Sequence, residues 1–329
     1  MLDAHHSGTD QTISYLLSHQ SHLYMTAMSE KHLTPEMRPL GKSGLLVSPI
    51  AWGMWRFVDA APDQRHALIE AAFGAGVNLF DTADIYGLHD TGGFGDAESL
   101  LGDMFAETPG LRDRMVLATK GGITPPVPYN SSAAYLEKAL DNSLRRLKTD
   151  RIDLYQIHRP DILAHPQEVA ATLERLVASG KVRAIGVSNY TLAQTTALAS
   201  FLTTPLASVQ PEFSPLELEP ITSGLLDLTM ERDVAVLAWS PLGGGRIADP
   251  GSAREQAVAA ALDVKAQGAG VSRTTAAYSW IMAHPARVIP IVGTQNAGRI
   301  AEIADVYKVQ WTRTEWYDVL VASRGEKLP

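Results

Sequence analysis

Four residues of unlike chemistry stand at comparable places in this chain: Asp81, Tyr86, Lys120 and His158. Three of them close short apolar runs, Leu79-Phe80-Asp81, Ala118-Thr119-Lys120 and Gln156-Ile157-His158. Tyr86 follows Asp81 by five positions. Such a set can reduce a carbonyl, which requires a proton and a hydride. A tyrosine hydroxyl can give the proton, but its ordinary pKa is about 10. A nearby ammonium stabilises the phenolate, so Lys120 is expected to lower that value. A buried Lys120 would tend to lose its own proton, and pairing with Asp81 opposes that loss. His158 can hold and orient the carbonyl oxygen by a hydrogen bond. No side chain donates hydride, so a nicotinamide cofactor is required. Taken singly, each residue has a plainer reading. Asp81 could cap a loop, Lys120 could be a solvated strand end, and His158 could be a satisfied core histidine. Together they form a charge-coupled set that a purely structural element does not need.

These positions must be held by elements that converge. Short apolar runs, read as buried parallel strands, alternate with helical patterns. The predicted strands are 47–53, 78–81, 115–119, 152–157, 184–187, 208–210, 235–239 and 288–292. The predicted helices are 63–75, 98–106, 132–147, 166–179, 191–200, 224–232, 274–283 and 297–306. Eight of each in strict alternation point to an α/β protein, a closed (β/α)8 TIM barrel, whose active site assembles at the C-terminal ends of the strands. Arg38 to Val47 reads as an N-terminal β-hairpin with a Gly-containing turn. Two further helices, 253–267 and 312–324, fall outside the eightfold count. Residues 38–329 read as a single barrel domain. Residues 1–37 differ in kind. They hold five of the ten histidines, His5, His6, His19, His22 and His32, show no sustained period, and read as a disordered extension. They carry no carboxylate cluster that would support a metal site, and none is expected elsewhere.

Composition removes other classes. The formal net charge is −8 and the pI about 5.7, with no Lys/Arg stripe, so no nucleic-acid partner is expected. Cysteine is absent, which excludes disulfides, thiolate metal sites and cysteine nucleophiles. No apolar run is long enough to span a membrane, and the N-terminus lacks the pattern of a signal peptide. A cytoplasmic protein acting on small molecules is expected, as a monomer or weak homo-oligomer.

The remaining strand ends suit a dinucleotide. Ser188, Asn189 and Gln210 offer hydrogen bonds for a carboxamide, and Trp239 a flat face for stacking. Gly243, Gly244 and Gly245 let backbone amides approach a pyrophosphate. Gly293 to Arg299 open the last helix, whose N-terminus favours a phosphate. Thr294 and Arg299 there point to the 2′-phosphate of NADP(H). Gly53, Met54, Trp55, Ser240, Leu242, Arg246, Gln295, Asn296 and Glu302 complete the expected cofactor set. No GxGxxG follows the first strand, which argues against a Rossmann domain. Trp55, Phe57, Ile123 and Arg159 are the expected walls of the substrate pocket, with Arg246 nearby. Only about five residues follow the last helix, so an open pocket tolerant of different carbonyls is expected.

At this point the sequence resembles the aldo-keto reductase superfamily. The matching stretches are Phe80-Asp-Thr-Ala-Asp-Ile-Tyr-Gly87, Thr119-Lys-Gly-Gly122, Gln156-Ile-His-Arg-Pro160, Ile185-Gly-Val-Ser-Asn189, Trp239-Ser-Pro-Leu-Gly243 and Gly293-Thr-Gln-Asn-Ala-Gly-Arg299. They run in family order over about residues 38–324. The segments 158–161 and 239–246 look most like the bacterial YdhF-type oxidoreductases. The resemblance implies NADPH-dependent reduction of aldehydes and ketones to alcohols, with Tyr86, Lys120, Asp81 and His158 as catalytic tetrad and Tyr86 as general acid. It implies that Ser188, Asn189 and Gln210 hold the nicotinamide amide and that Trp239 stacks on the ring. Ser240, Leu242 and Gly243 would line the pyrophosphate, Thr294 and Arg299 reach the 2′-phosphate, and Glu302 contact adenine. Two positions depart from the pattern: Gly293 stands where many members carry a lysine near the 2′-phosphate, and Ile303 where many carry an asparagine near adenine. A non-catalytic NADPH-binding sensor on the same fold would keep the same cofactor residues. A Schiff-base lyase using Lys120 is a second alternative. The intact set of four favours the reductase.

Overall fold

The computed structural model describes residues 33–88 and 92–329, so most of the expected N-terminal extension lies outside the described residues. Ten strands are present among these residues. Arg38–Pro39 (β1) and Leu46–Val47 (β2) pair antiparallel as the expected hairpin. The other eight are Ala51–Gly53 (β3), Leu79–Asp81 (β4), Val116–Gly121 (β5), Ile152–Ile157 (β6), Val182–Ser188 (β7), Ser208–Gln210 (β8), Ala235–Ala238 (β9) and Ile289–Val292 (β10). They form a closed parallel barrel in sequence order, with β10 pairing back to β3. Helices follow the strands, giving the expected TIM barrel; those that bear on the site are Asp96–Glu107 (α1), Ala133–Arg146 (α2) and Pro166–Ala178 (α3).

The strands are buried on both faces, so each carries two different cores on alternate residues. Ala51, Leu79, Val116, Ala118, Leu154, Ala184, Leu237, Ile289 and Ile291 fill the barrel interior. Trp52, Phe80, Leu117, Tyr155, Ile157, Ile185, Val209 and Val236 face the helices in a second, larger core. Leu40, Leu45 and Val47 of the hairpin belong to the interior cluster, so the hairpin adds its apolar side chains to the barrel core. Gly41 lets it seat there: a Cβ at Gly41 would press on the carbonyl oxygens of Ala207 and Asp233.

Two predicted elements differ in detail, and one element is additional. The first predicted strand, 47–53, is split between hairpin and barrel. Pro49 lacks an amide for the ladder, and Ser48 turns the chain: its Oγ donates to the Ile50 carbonyl at 2.6 Å and accepts from the Asn78 amide at 3.0 Å. The last predicted helix, 297–306, is α-helical only over Ala297–Ala301 and continues as a 3-10 helix over Glu302–Lys308. Its buried residues Ile300, Ile303 and Val306 recur every three positions, a spacing that a 3-10 turn aligns on one side. A four-residue helix, Glu219–Thr222, was not anticipated. The extra helices appear as Ala253–Ala269 and Arg313–Arg324. The second is locked to the barrel by Trp316, which stacks on Trp280 at 4.6 Å, each indole donating to the other's carbonyl at 3.0 Å.

Close helix packing beside the site depends on Gly102 of α1. A Cβ there would overlap the carbonyl oxygen of Arg146 and the backbone of Leu147. Gly102→Ala is therefore expected to destabilise the fold by about 1–3 kcal/mol despite alanine's better helix propensity, measured as a lower urea midpoint.

Candidate active site

The alternation that fills the barrel also builds the site. Asp81 is two positions beyond the interior Leu79, Lys120 two beyond Ala118, and His158 four beyond Leu154. All three therefore point inward at the C-terminal end, where the apolar filling stops. Lys120 is fully buried. Its Nζ donates to Asp81 Oδ2 at 2.6 Å, to the Thr82 carbonyl at 2.8 Å and to Tyr86 Oη at 3.0 Å. Three acceptors match the three protons of an ammonium. Tyr86 comes from the loop after β4, which is stitched to β5 by Thr82 N to Ala118 O at 2.9 Å and Asp84 N to Lys120 O at 3.0 Å. The Tyr86 ring meets Trp55 edge-on at 4.9 Å and His158 at 5.8 Å.

Burial alone pulls the Lys120 ammonium down, but Asp81 and Tyr86 outweigh it and hold the group above its usual value. Burial also acts on Tyr86, and there it prevails: the phenol is held above its ordinary value although Lys120 pulls it down. This corrects the expectation that Lys120 would set a lowered phenol. Burial, with Lys120 and Arg159, holds His158 well below the usual imidazole range, so it is neutral at neutral pH. Its Nδ1 is buried without a partner among the described residues.

A layer of buried amides stands under the carboxylate. Asp81 Oδ1 accepts from Gln210 Nε2 at 2.9 Å and from Gln156 Nε2 at 3.4 Å. Gln156 Oε1 in turn accepts from Ser208 Oγ at 3.2 Å. Gln210 was expected to face a carboxamide; in the structure its Nε2 is engaged with Asp81. Gln156 was missed. Its signal was available in the sequence, as a polar residue at an inward strand position two before His158.

The expected cofactor residues gather at the same end. Ser188 Oγ donates to the Gln210 carbonyl at 2.9 Å and accepts from Asn189 Nδ2 at 2.8 Å. Asn189, in the left-handed region at φ 59°, takes the Trp239 indole proton on Oδ1 at 2.9 Å. These side chains form a joined cluster rather than free donors. The Arg159 guanidinium lies 5.5 Å from the Trp239 ring centre. Ser240 and all three of Gly243, Gly244 and Gly245 have positive φ. A Cβ at Gly244 or Gly245 would meet nothing within 4 Å, so that backbone lies open, although Gly243 and Gly245 spend their amides on Ser240 and Leu242. The Arg246 Nε folds back to the Gly243 carbonyl at 2.7 Å. After β10, Gly293 is exposed, Thr294 accepts the Trp52 indole proton at 3.0 Å, and Asn296 caps the short helix through the Arg299 amide. Arg299 and Glu302 are exposed. Gln295 Oε1 is buried without a partner among the described residues.

Two of these features fit a phosphorylated dinucleotide: an open backbone at Gly244 and Gly245 and an exposed guanidinium at Arg299. Two expected site residues, one for the cofactor and one for the substrate pocket, keep their side chains away from the surface. Met54 and Phe57 are fully buried in the outer core, and Phe57 packs edge-on against Trp52 at 5.8 Å. Their apolar side chains follow the barrel's need for filling between strand and helix. Gly53 serves packing too, since a Cβ would press on Ile291. Trp55, 47% exposed, does stand at the mouth, and Ile123 and Arg159 are half-buried.

A family model described as the aldo/keto reductase family matches residues 49–320. The chain is 59% identical over 304 residues, 92% of its length and all of the relative's, to the 6-dehydroglucose reductase of Novosphingobium aromaticivorans. It is 36% identical to the 6-dehydroglucose reductase of Agrobacterium fabrum, over 86% of this chain and 97% of that one. It is 33% identical to the oxidoreductase YdhF of Escherichia coli, over 86% of this chain and 95% of that one. A crystal structure of the thermostable aldo-keto reductase Tm1743 with the inhibitor epalrestat superposes with a TM-score of 0.76 at 22% identity, covering 87% of this chain and 99% of that one. The protein belongs to the aldo/keto reductase family and is an oxidoreductase. Among the described residues no helix is long and apolar enough to cross a membrane.

Behind the four residues lies a carboxyl that the sequence reading passed over. Asp84 is 1% exposed, and its Oδ1 has no partner among the described residues. Burial first, and the nearby Glu98 second, raise its pKa well above the ordinary carboxylate value. A group raised in the folded state contributes stability below its unfolded pKa, and that contribution is lost as pH rises toward the folded value. Asp84→Asn is therefore expected to melt like the parent near pH 3.5. Relative to the parent it gains stability, on the order of 1 kcal/mol, by pH 8, measured by paired thermal melts.

Proposed function

We propose that the protein is an NADPH-dependent carbonyl reductase with Tyr86 as general acid, and that its carbonyl is the C6 aldehyde of a hexose, 6-dehydroglucose. One observation carries the reaction: a fully buried ammonium at Lys120 held by Asp81 and donating to the hydroxyl of Tyr86 at 3.0 Å. The substrate rests on the 59% identity, over the full length of the relative, to a protein named for that reduction. NADPH, when bound, supplies the hydride. Thr294 and Arg299 would hold its 2′-phosphate, the 240–245 turn its pyrophosphate, and Ser188, Asn189 and Trp239 its nicotinamide.

The residues of the chain do the rest. Tyr86 and His158 receive the carbonyl oxygen between them and draw its negative charge toward their donors. A phenol kept above its ordinary value stays protonated through the neutral range, as a general acid must. As the carbon is reduced, the Tyr86 proton passes to the oxygen and completes the alcohol. The phenolate that remains faces the Lys120 ammonium, which stabilises it without leaving its place. Asp81 stabilises that ammonium, and Gln210 and Gln156 hold Asp81. His158, neutral, orients the oxygen without competing for the proton. Trp55 supplies a flat wall suited to the C–H face of a sugar ring, and Arg159 a cationic donor for its hydroxyls.

Purified protein should be titrated with NADPH and with NADH, following tryptophan fluorescence, then given 6-dehydroglucose and 4-nitrobenzaldehyde while nicotinamide absorbance is followed. Consumption of NADPH with both, and a higher kcat/KM for the sugar, is expected. Consumption with the aromatic aldehyde alone would remove the substrate assignment. Binding without turnover on any carbonyl would replace the reductase with a sensor. Tyr86→Phe is expected to lower kcat by about 10²–10⁴-fold while NADPH still binds. The kcat of the parent should stay level from about pH 6 to 9 and fall only as the pH passes the raised Tyr86 value, above 10. Arg299→Ala should weaken NADPH by about tenfold and leave NADH unchanged.

A further inference from the structure

We infer that Glu98 and Thr119, which lie behind the barrel wall, are positioning residues that set the contact between Tyr86 and Lys120. The inference rests on the reductase reading above for its kinetic part. Tyr86 follows β4 by five residues, and α1 begins ten residues after it. The Ala97 amide donates to the Tyr86 carbonyl at 3.1 Å, so the first turn of α1 holds the tyrosine backbone directly. The next residue, Glu98, is fully buried. Its Oε1 accepts from Thr119 Oγ1 at 2.5 Å, and its Oε2 accepts from Arg146 Nε at 2.8 Å.

Thr119 immediately precedes Lys120 on β5. Neighbours on a strand point to opposite faces, so Lys120 enters the barrel while Thr119 faces the helices. The contacts close a ring: Tyr86 to Ala97 through the backbone, Glu98 to Thr119 across the wall, and Lys120 back to the Tyr86 hydroxyl. Moving Glu98 against Thr119 changes the distance between the acid and its ammonium.

The ring is anchored from outside. Arg146 at the end of α2 pairs with Glu98 at 2.7 Å and lies 5.7 Å from the Phe94 ring centre. It also packs so tightly on Gly95 that a Cβ there would overlap its side chain. The end of the Tyr86 loop, α1 and β5 thus meet at one buried ion pair. A buried carboxylate needs such a partner to stay charged. Burial, and after it the adjacent Glu98, raise the neighbouring Asp84 well above the ordinary carboxylate value. A carboxylate that only fastened α1 to α2 would need Arg146 alone. The short bond to Thr119 ties it to the strand that carries the lysine.

Thr119→Val deletes the hydroxyl, keeps the shape and leaves the Glu98–Arg146 pair in place; Thr119→Ser restores the hydroxyl. Each should be measured in the full chain for kcat and KM at saturating NADPH and for NADPH affinity by fluorescence. The Tyr86 titration is followed by NMR of ¹³C-tyrosine-labelled protein, its resonance assigned by its loss in Tyr86→Phe. The expected result for Thr119→Val is a kcat lower by about 10- to 100-fold, with KM and NADPH affinity within about twofold of the parent. The Tyr86 midpoint should rise by about 1 pH unit as the ammonium draws away, and Thr119→Ser should recover both. An unmoved Tyr86 midpoint in folded Thr119→Val overturns the inference and leaves Glu98 a structural ion pair. Absence of turnover in the parent would defeat the reductase reading alone, because the titration needs no turnover. Thr119→Ala carries the same readouts if the valine variant does not fold.

Discussion

The ammonium of Lys120 has no access to solvent, and the architecture around it is the set of conditions under which that can be stable. A buried charge without partners costs more free energy than a folded domain has to spare. Here three acceptors, Asp81, Thr82 and Tyr86, take its three protons. They come from one strand end and the loop that follows it, while the lysine comes from the next strand. The pairing of β4 with β5 brings Asp81 opposite Ala118, two residues from the lysine. A slip of one residue would turn either the carboxylate or the ammonium into the outer core.

The dependence runs downward through the barrel. Asp81 is held from below by Gln210 and Gln156, whose amides replace water around a carboxylate that water cannot reach. Beneath them the interior is apolar down to the hairpin, whose Leu40, Leu45 and Val47 join the same cluster. A dry, closely packed interior keeps the effective dielectric low. The same burial that obliges Lys120 to pair also raises Tyr86 and lowers His158. One physical cause thus sets a charged lysine, a protonated phenol and a neutral imidazole within a few ångströms of one another.

The mouth is built to another rule. The 240–245 turn and the 293–299 segment are exposed or half-exposed over most of their length. Five backbone positions in the first of these segments bear on it: Ser240, Gly243, Gly244 and Gly245 lie at positive φ, and Leu242 accepts from the Gly245 amide. Glycine at three of them avoids the steric cost that a side chain would meet there. The barrel supplies rigid strand ends, and the loops supply open backbone, which is the usual division of labour in this architecture.

Much of this was legible in the sequence. Eight alternations of apolar run and helical pattern determined the barrel, because strands buried on both faces must be continuously apolar and parallel strands require crossover helices. Polar residues closing those runs marked Asp81, Lys120 and His158, because an apolar interior tolerates them only at its open end. What the sequence did not carry was competition between neighbours distant in the chain. Met54 read as a cofactor contact and Phe57 as a pocket wall, and packing into the outer core, for Phe57 against Trp52, buried both. Lys120 read as lowering the Tyr86 phenol, and burial, which belongs to the folded state alone, outweighed it. Gln210 read as facing a ligand, and Asp81, 129 residues away, claimed it. Glu98 and Asp84 gave no signal, since a carboxylate on a helix or loop is ordinarily solvated; only the folding of α1 and α2 against β5 buried them. Local pattern determined which residues point inward and at which end, because strand periodicity is a local property. Tertiary structure decided which of them are charged, which are neutral and which are already spoken for, because desolvation and partner choice exist only once distant segments meet.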